Sequence, residues 1–119
     1  MSTEPNLSGA ERIVAERQRQ IDVKGFSLEH DATHSTVQFI AAALTYLTQA
    51  DFQVRYPHVP YDPQMALKIL DEHGFPSSVW PWADEDWKAS PDPVRNLEKA
   101  GALVAAAIDR IQSSSKESG

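Results

Sequence analysis

At 119 residues, with 41% hydrophobic and 24% charged side chains, the chain has the composition of one globular domain with a single modest core. Its formal net charge is −6, and 11 basic residues are dispersed among 17 acidic ones, which disfavours a role in gripping a nucleic-acid backbone. The absence of cysteine removes disulfides, thiolate chemistry and cysteine-based zinc sites.

The opening segment, "MSTEPNLSGAERI", lacks the basic stretch and apolar run of a signal peptide. The longest apolar run, around 39–44, is far short of a bilayer span. A cytoplasmic protein without membrane contact is expected. Residues 1–7 and 113–119 are small and polar and read as disordered tails, leaving 8–112 as a single helical domain.

The first helix is expected to start at Ser8, whose S-x-x-E spacing to Glu11 makes a capping box, and to stop at Gly25 after Lys24. Ala10, Ile13, Val14 and Ile21 supply its apolar stripe. The rest, "ERQRQ", reads as a solvated face in which Arg12 and Glu16 are spaced i, i+4. The functional alternative turns Arg17 or Gln20 inward to form an anion pocket.

Ser27 is a fitting cap for a second helix running to about Ala50. Val37, Ile40, Leu44 and Leu47 repeat at helical spacing, and Phe39, Ala43 and Tyr46 form a second row. Two such rows predict the central helix of the domain. Residues 51–62, with Pro57 and Pro60, read as irregular chain. A short helix follows, with Asp62 as cap, Pro63 at the first position, Gly74 as stop, and Met65, Ala66, Ile69 and Leu70 on its apolar side. After a tryptophan-rich loop, Ser90 or Asp92 caps a last helix to about Gln112. Its stripe is Val94, Leu97, Gly101, Val104, Ile108 and Ile111, while the alanines of "KAGALVAAA" keep its surface thin enough for a close neighbour or a homodimer contact. No stretch alternates with a period of two, so an all-α fold is predicted: a small bundle of three longer helices and one short one, with an irregular Trp/Pro-rich segment.

Three constellations carry chemistry. In "EHDATH", a helix starting at Ser27 places His30 and His34 at i and i+4, a geometry competent for two metal ligands. The same segment also reads as a polar pocket that touches a ligand, or as a plain helix entrance whose early acids Glu29 and Asp31 answer the helix dipole. Trp80, Trp82 and Trp87 fall within eight residues of one another. They are either a lid over the last helix or a platform on which a base or partner stacks, and Tyr56 and Tyr61 extend either version. Arg95 and Lys99, one turn apart at the start of the last helix, are a phosphate-binding pair or a surface pair. No Walker-type glycine loop, nucleophile elbow or cysteine nucleophile is present.

The order "ERQRQ", "EHDATH", "WPW" and "LEKAGALVAAAIDRI", over about residues 11–111, resembles a family of small bacteriophage and prophage proteins usually without an assigned function. Phe26 stands where that pattern has tryptophan, and Thr36 or Gln38 stands where it has a carboxylate. The layout is also similar to the all-α, MazG-like nucleotide pyrophosphohydrolases, which hold magnesium between paired acids. Here Glu16, Glu29 and Asp31 would be the catalytic acids and magnesium the cofactor, although Glu29 and Asp31 are two apart where three or four is needed to share a helix face. Together these readings imply a small phage-type accessory protein that binds a host protein or a nucleotide-like ligand, countering host defence in one version. The implied ligand contacts are Arg17, Gln20, His30, Asp31, His34, Trp80, Trp82 and Lys99. The alternatives are the MazG-like hydrolase and a metal-binding domain on His30 and His34.

Overall fold

The computed structural model describes residues 6–24, 35–74 and 80–118. They form four α-helices, α1 (Gly9–Lys24), α2 (Thr36–Arg55), α3 (Met65–Glu72) and α4 (Pro93–Ser118), with one 3-10 turn at Asp84–Asp86 and no strand among the described residues. The architecture is all-α.

Helix α1 starts as its capping box dictates: the Ser8 amide donates to Glu11 Oε1 at 2.9 Å and the Glu11 amide to Ser8 Oγ at 3.2 Å. The face it buries is not the apolar stripe. Val14 is 68% exposed and Ala10 is exposed, whereas Glu16, Arg17 and Gln20 are buried and Ile13 half-buried. Residues 13, 16, 17 and 20 share one helical face, and that face meets α4.

Helix α2 is capped by Ser35, not Ser27. The Ser35 hydroxyl accepts from the Gln38 amide while the Gln38 side chain accepts from the Ser35 amide. Ser35 itself is extended (φ −79°, ψ 155°), so a continuous helix from Ser27 is interrupted there. The segment 25–34, with Phe26, Glu29, His30, Asp31 and His34, lies outside the described residues. At its other end α2 runs five residues past the expected Ala50, to Arg55. Proline restricts the residue before it, so Pro57 stops the helix at its own doorstep and leaves residues 51–55 free to continue.

The short helix α3 stops where Gly74 predicts but starts two residues late: Gln64, not Asp62, holds the N-cap position, and Pro63 lies in the turn before it. Asp62 Oδ1 accepts from the Gln64 amide at 2.8 Å in the turn that leads in, and Gly74 takes a left-handed φ of 80° just beyond the end. Asp92 caps α4, accepting from the Val94 amide at 2.9 Å with Pro93 at the first position. The helix then continues to Ser118, past the expected end near Gln112, with no breaker before Gly119.

Helices α2 and α4 run antiparallel. Near one end, Asn96 Nδ2 donates to Gln53 Oε1 (2.8 Å), while farther along both helices the Lys99 ammonium lies 5.5 Å from the Tyr46 ring centroid. Alanines line the seam between them: Ala42, Ala43 and Ala50 on α2, and Ala100, Ala106 and Ala107 on α4, all buried. Small side chains let the two backbones approach closely. Phe39, Tyr46 and Leu103 complete the core together with Trp80 and Trp87.

This arrangement overturns one expectation and meets another. The large aliphatic row of α2 (Val37, Ile40, Leu47) and the stripe of α4 (Leu97, Val104, Ile108, Ile111) are exposed, with Val37 at 73%. The alanine surface, expected to admit a close neighbour or a homodimer contact, takes the neighbour and packs inside the chain against α2. Among the described residues no helix is long and apolar enough to cross a membrane.

Candidate functional site

Helix α1 lies against α4 through charge. Glu16, 3% exposed, accepts from Arg19 Nε at 2.8 Å, from a second Arg19 nitrogen at 3.0 Å, and from Arg95 of α4 at 2.6 Å. The same Arg95 nitrogen reaches Glu98 at 3.0 Å, and Arg12 reaches the other Glu98 oxygen at 3.2 Å. Further along, Arg17 pairs with Asp109 at 3.4 Å. The i, i+4 pairing of Arg12 with Glu16 does not form; Arg12 crosses to α4 instead, because the helix interface brings Glu98 to it.

Five groups are thus linked in one chain: Arg12, Glu98, Arg95, Glu16 and Arg19. Three guanidiniums and two carboxylates leave a surplus of one positive charge there, in a protein whose net charge is −6. Burial by itself pushes the Glu16 carboxyl up, but hydrogen bonds and charge from Arg19 and Arg95 outweigh it and hold its pKa below the ordinary 4.5. Burial likewise disfavours the Arg95 cation, and Glu16 and Glu98 overcome that and raise its pKa.

Gln20 sits one turn beyond Glu16 and is 3% exposed. Its amide nitrogen donates to Glu16 Oε2 at 3.4 Å, whereas its Oε1 has no donor among the described residues. A buried acceptor without a donor costs about 1–3 kcal/mol. Arg12, Arg19 and Arg95 keep between 32% and 42% of their side chains in solvent. Arg12 and Arg95 each commit one terminal nitrogen to carboxylates, and a guanidinium carries five donors in a planar fork. The surface over the network can therefore hold an acceptor-rich, anionic group.

Tyr46 borders the network from α2. Burial pushes its hydroxyl up to about 12, although its oxygen accepts from the Lys88 amide at 3.1 Å. Lys99 sits beside it, its ammonium donating to the Lys88 carbonyl at 2.6 Å. The expected Arg95/Lys99 pair is accordingly split: Arg95 turns to α1 and Lys99 to the tryptophan segment.

The three tryptophans form a packed aromatic group with Tyr46 and Phe39. Trp80 contacts Tyr46, Trp82 and Trp87 at ring separations of 5.7, 5.5 and 5.1 Å, and Trp82 meets Phe39 edge-on at 5.5 Å. The Trp80 and Trp87 indoles donate to the Ala83 and Pro63 carbonyls. Trp80 and Trp87 are buried and Trp82 half-buried, which is the geometry of a lid over α2 and α4. Tyr56 and Tyr61 lie apart, in a concavity of about 330 Å³ that Phe52, Pro57 and Pro91 also line. None of the charged network lines it, and its amides Gln49 and Gln53 already have both ends hydrogen-bonded. Its lining includes Asp62 and no cationic side chain, so for an anionic ligand the α1–α4 network is the stronger candidate.

Of the sequence-derived candidates, the fold thus brings Glu16, Arg17 and Gln20 together on one buried face. Glu29, His30, Asp31 and His34 lie outside the described residues. Among the described residues no group of three or more His, Cys, Asp or Glu could hold a metal ion. Sequence reasoning missed Arg12, Arg19 and Glu98 as members of the site, and saw Arg95 only as half of a phosphate pair. The available signal was the dense acid–arginine alternation of α1 beside a last helix that begins "VRNLEK". Compared with protein-family models, curated proteins and solved structures, the chain matches none.

Proposed function

We propose that the protein is a small accessory binding protein that takes an anionic, nucleotide-like ligand on the α1–α4 charged face. The observation that carries this reading is the buried Glu16–Gln20 pair, flanked by three half-open guanidiniums, in a protein that is otherwise acidic. The arginine forks would grip phosphate oxygens, and Gln20 Oε1 would accept from an N–H or O–H of the ligand. Burying a charged helix face costs desolvation, and a stable domain of this size gains more from aliphatic contacts. A ligand that uses the face is the functional account of that cost. The resemblance to phage and prophage proteins supports an accessory role.

Glu16, the acid that a MazG-like hydrolase would use, has both carboxylate oxygens engaged by donors from Arg19, Arg95 and Gln20. That engagement supports a role for Glu16 in orienting arginines, and so the binding reading over the hydrolase.

Titration calorimetry of the full chain with nucleoside mono-, di- and triphosphates, and with inorganic phosphate, tests the proposal. At least one nucleotide should bind, and Gln20→Leu, which keeps the volume and removes the acceptor, should weaken it about tenfold, the equivalent of about 1.4 kcal/mol. Absence of heat across the panel, or equal binding by Gln20→Leu and by a doubly altered Arg12→Ala/Arg19→Ala protein, overturns it. Release of pyrophosphate with magnesium, abolished by Glu16→Gln, would establish the hydrolase instead.

A further inference from the structure

Among the described residues, the α2–α4 layer carries a row of exposed aliphatics on one side. Tyr46 and Lys99 meet beneath the tryptophan segment, and Arg95 and Glu98 meet α1, so these side chains mark the covered side of both helices. At 100° per residue, the mean direction of the exposed aliphatics on each helix is more than a quarter turn from the mean direction of those markers. Because the helices are antiparallel and share one covered side, their bare stripes also share one side.

Two features of this face identify what fits it. The first is its period. On α2 the stripe occupies positions 37, 40, 44, 47, 51 and 54, and on α4 positions 94, 97, 101, 104, 108 and 111. Both run 3-4-3-4-3, the heptad spacing that keeps a seam facing a partner helix. Gly101 lies against Ile13 of α1 and Leu44 is half-buried, while the aliphatics named next stay exposed; the chain's own α2–α4 contact runs through the alanines. The second is its area and charge. Val37, Ile40, Leu47 and Val54 on α2, with Leu97, Val104, Ile108 and Ile111 on α4, are each between 43% and 73% exposed. Together they present on the order of 700 Å², close to one partner's share of a standard interface and above the usual largest patch of a monomer. The charged residue in the seam, Asp51, is paired with Arg55 one turn on at 2.9 Å, so the face has no net charge to repel an identical one.

We propose that this face binds a second copy of the chain, two α2–α4 layers stacking about a twofold axis into a four-helix core with the charged sites facing outward. Twofold pairing is self-complementary: heptad seams of like period meet, and no edge remains for further growth.

Analytical ultracentrifugation of the full chain, over about 1–100 µM, reads the result directly. The expected species is twice the 13.2 kDa chain mass. Ile40→Glu with Ile108→Glu, both at exposed positions, should give a folded monomer by circular dichroism. Val14→Glu, equally exposed but on α1, should leave the dimer intact. A monomeric wild type throughout the range overturns the proposal and assigns the face to a different chain. A dimer that survives Ile40→Glu/Ile108→Glu overturns it too, as does growth into open polymers.

Discussion

Helix α4 meets its two long neighbours in opposite ways. Against α2 it presents alanines and Leu103, so the contact is small, apolar and tight, with aromatic rings filling the volume beside it. Against α1 it presents Arg95, Glu98, Asp109 and a glycine, so the contact is ionic. The first interface gains free energy from burial of apolar surface, at about 25 cal/mol per Å². The second offsets desolvation with geometry and contributes little net stability. The α2–α4 seam should therefore hold the domain together, while the α1–α4 contact should tolerate loss of stability and carry specificity.

That contrast can be broken at three points. The largest effect is expected from Leu103→Ala, which opens a cavity at the buried seam and should cost about 2–5 kcal/mol. With three tryptophans packed beside the seam, urea unfolding followed by fluorescence measures it, and the circular-dichroism transition should move with it. If Leu103→Ala costs less than 1 kcal/mol, the seam is not the main source of stability.

An intermediate effect is expected from Glu16→Gln, which leaves Arg19 and Arg95 without their buried countercharge and should cost about 2–3 kcal/mol, less than a fully buried pair because both arginines are partly solvated. Its pH dependence has a definite sign. Since the folded pKa of Glu16 lies below the ordinary 4.5, its contribution is fully present above pH 4.5 and is lost as pH falls through the lower folded value. Wild type should thus lose stability steeply below pH 4.5, and Glu16→Gln should flatten that acid limb. Parallel acid limbs for the two proteins would show that the network contributes nothing through Glu16.

The smallest effect concerns a place where the two helices touch through apolar atoms. A Cβ at Gly101 would lie 2.6 Å from Ile13 Cδ1 and 2.7 Å from Cγ1. Alanine is favoured over glycine inside a helix by about 1 kcal/mol, so Gly101→Ala would stabilise α4 if α1 were absent. With α1 docked, crowding should exceed that gain and leave a net loss of about 1 kcal/mol. Adding Ile13→Ala, which removes the crowding atoms, should make the pair strongly non-additive. Additive costs would mean that α1 moves away at no expense.

The capped helix starts were legible because they are local. Ser8 with Glu11, Asp92 with Pro93, and Gly74 after α3 act within four residues of chain, and each appears where its chemistry places it. The second start was misjudged because Ser27 and Ser35 are both competent caps, and the Ser35–Gln38 reciprocal bonds decide between them. Sidedness was much less legible. Periodicity weights large aliphatics: it selects Val37–Ile40–Leu47 on α2 and Leu97–Val104–Ile108 on α4 as core, beside the α2 row Phe39, Ala43 and Tyr46, and only that last row is buried. The folded chain buries the alanines instead, since two backbones that approach closely can also admit Phe39, Tyr46 and two tryptophans. The candidate site was half legible: the inward turn of Arg17 and Gln20 is one of the two readings the sequence offers, but Arg17 pairs with Asp109, 92 positions away, and the Glu16 that Gln20 touches is held by Arg95 of α4.

The sequence by itself determined an all-α chain, its caps, its breakers and a last helix able to pack closely, because propensity and capping act over one or two turns. Only the tertiary structure decided which face of each helix is inside. That choice depends on how three helices share one core, and it gave α1 a buried charged face and left most seam aliphatics of α2 and α4 exposed.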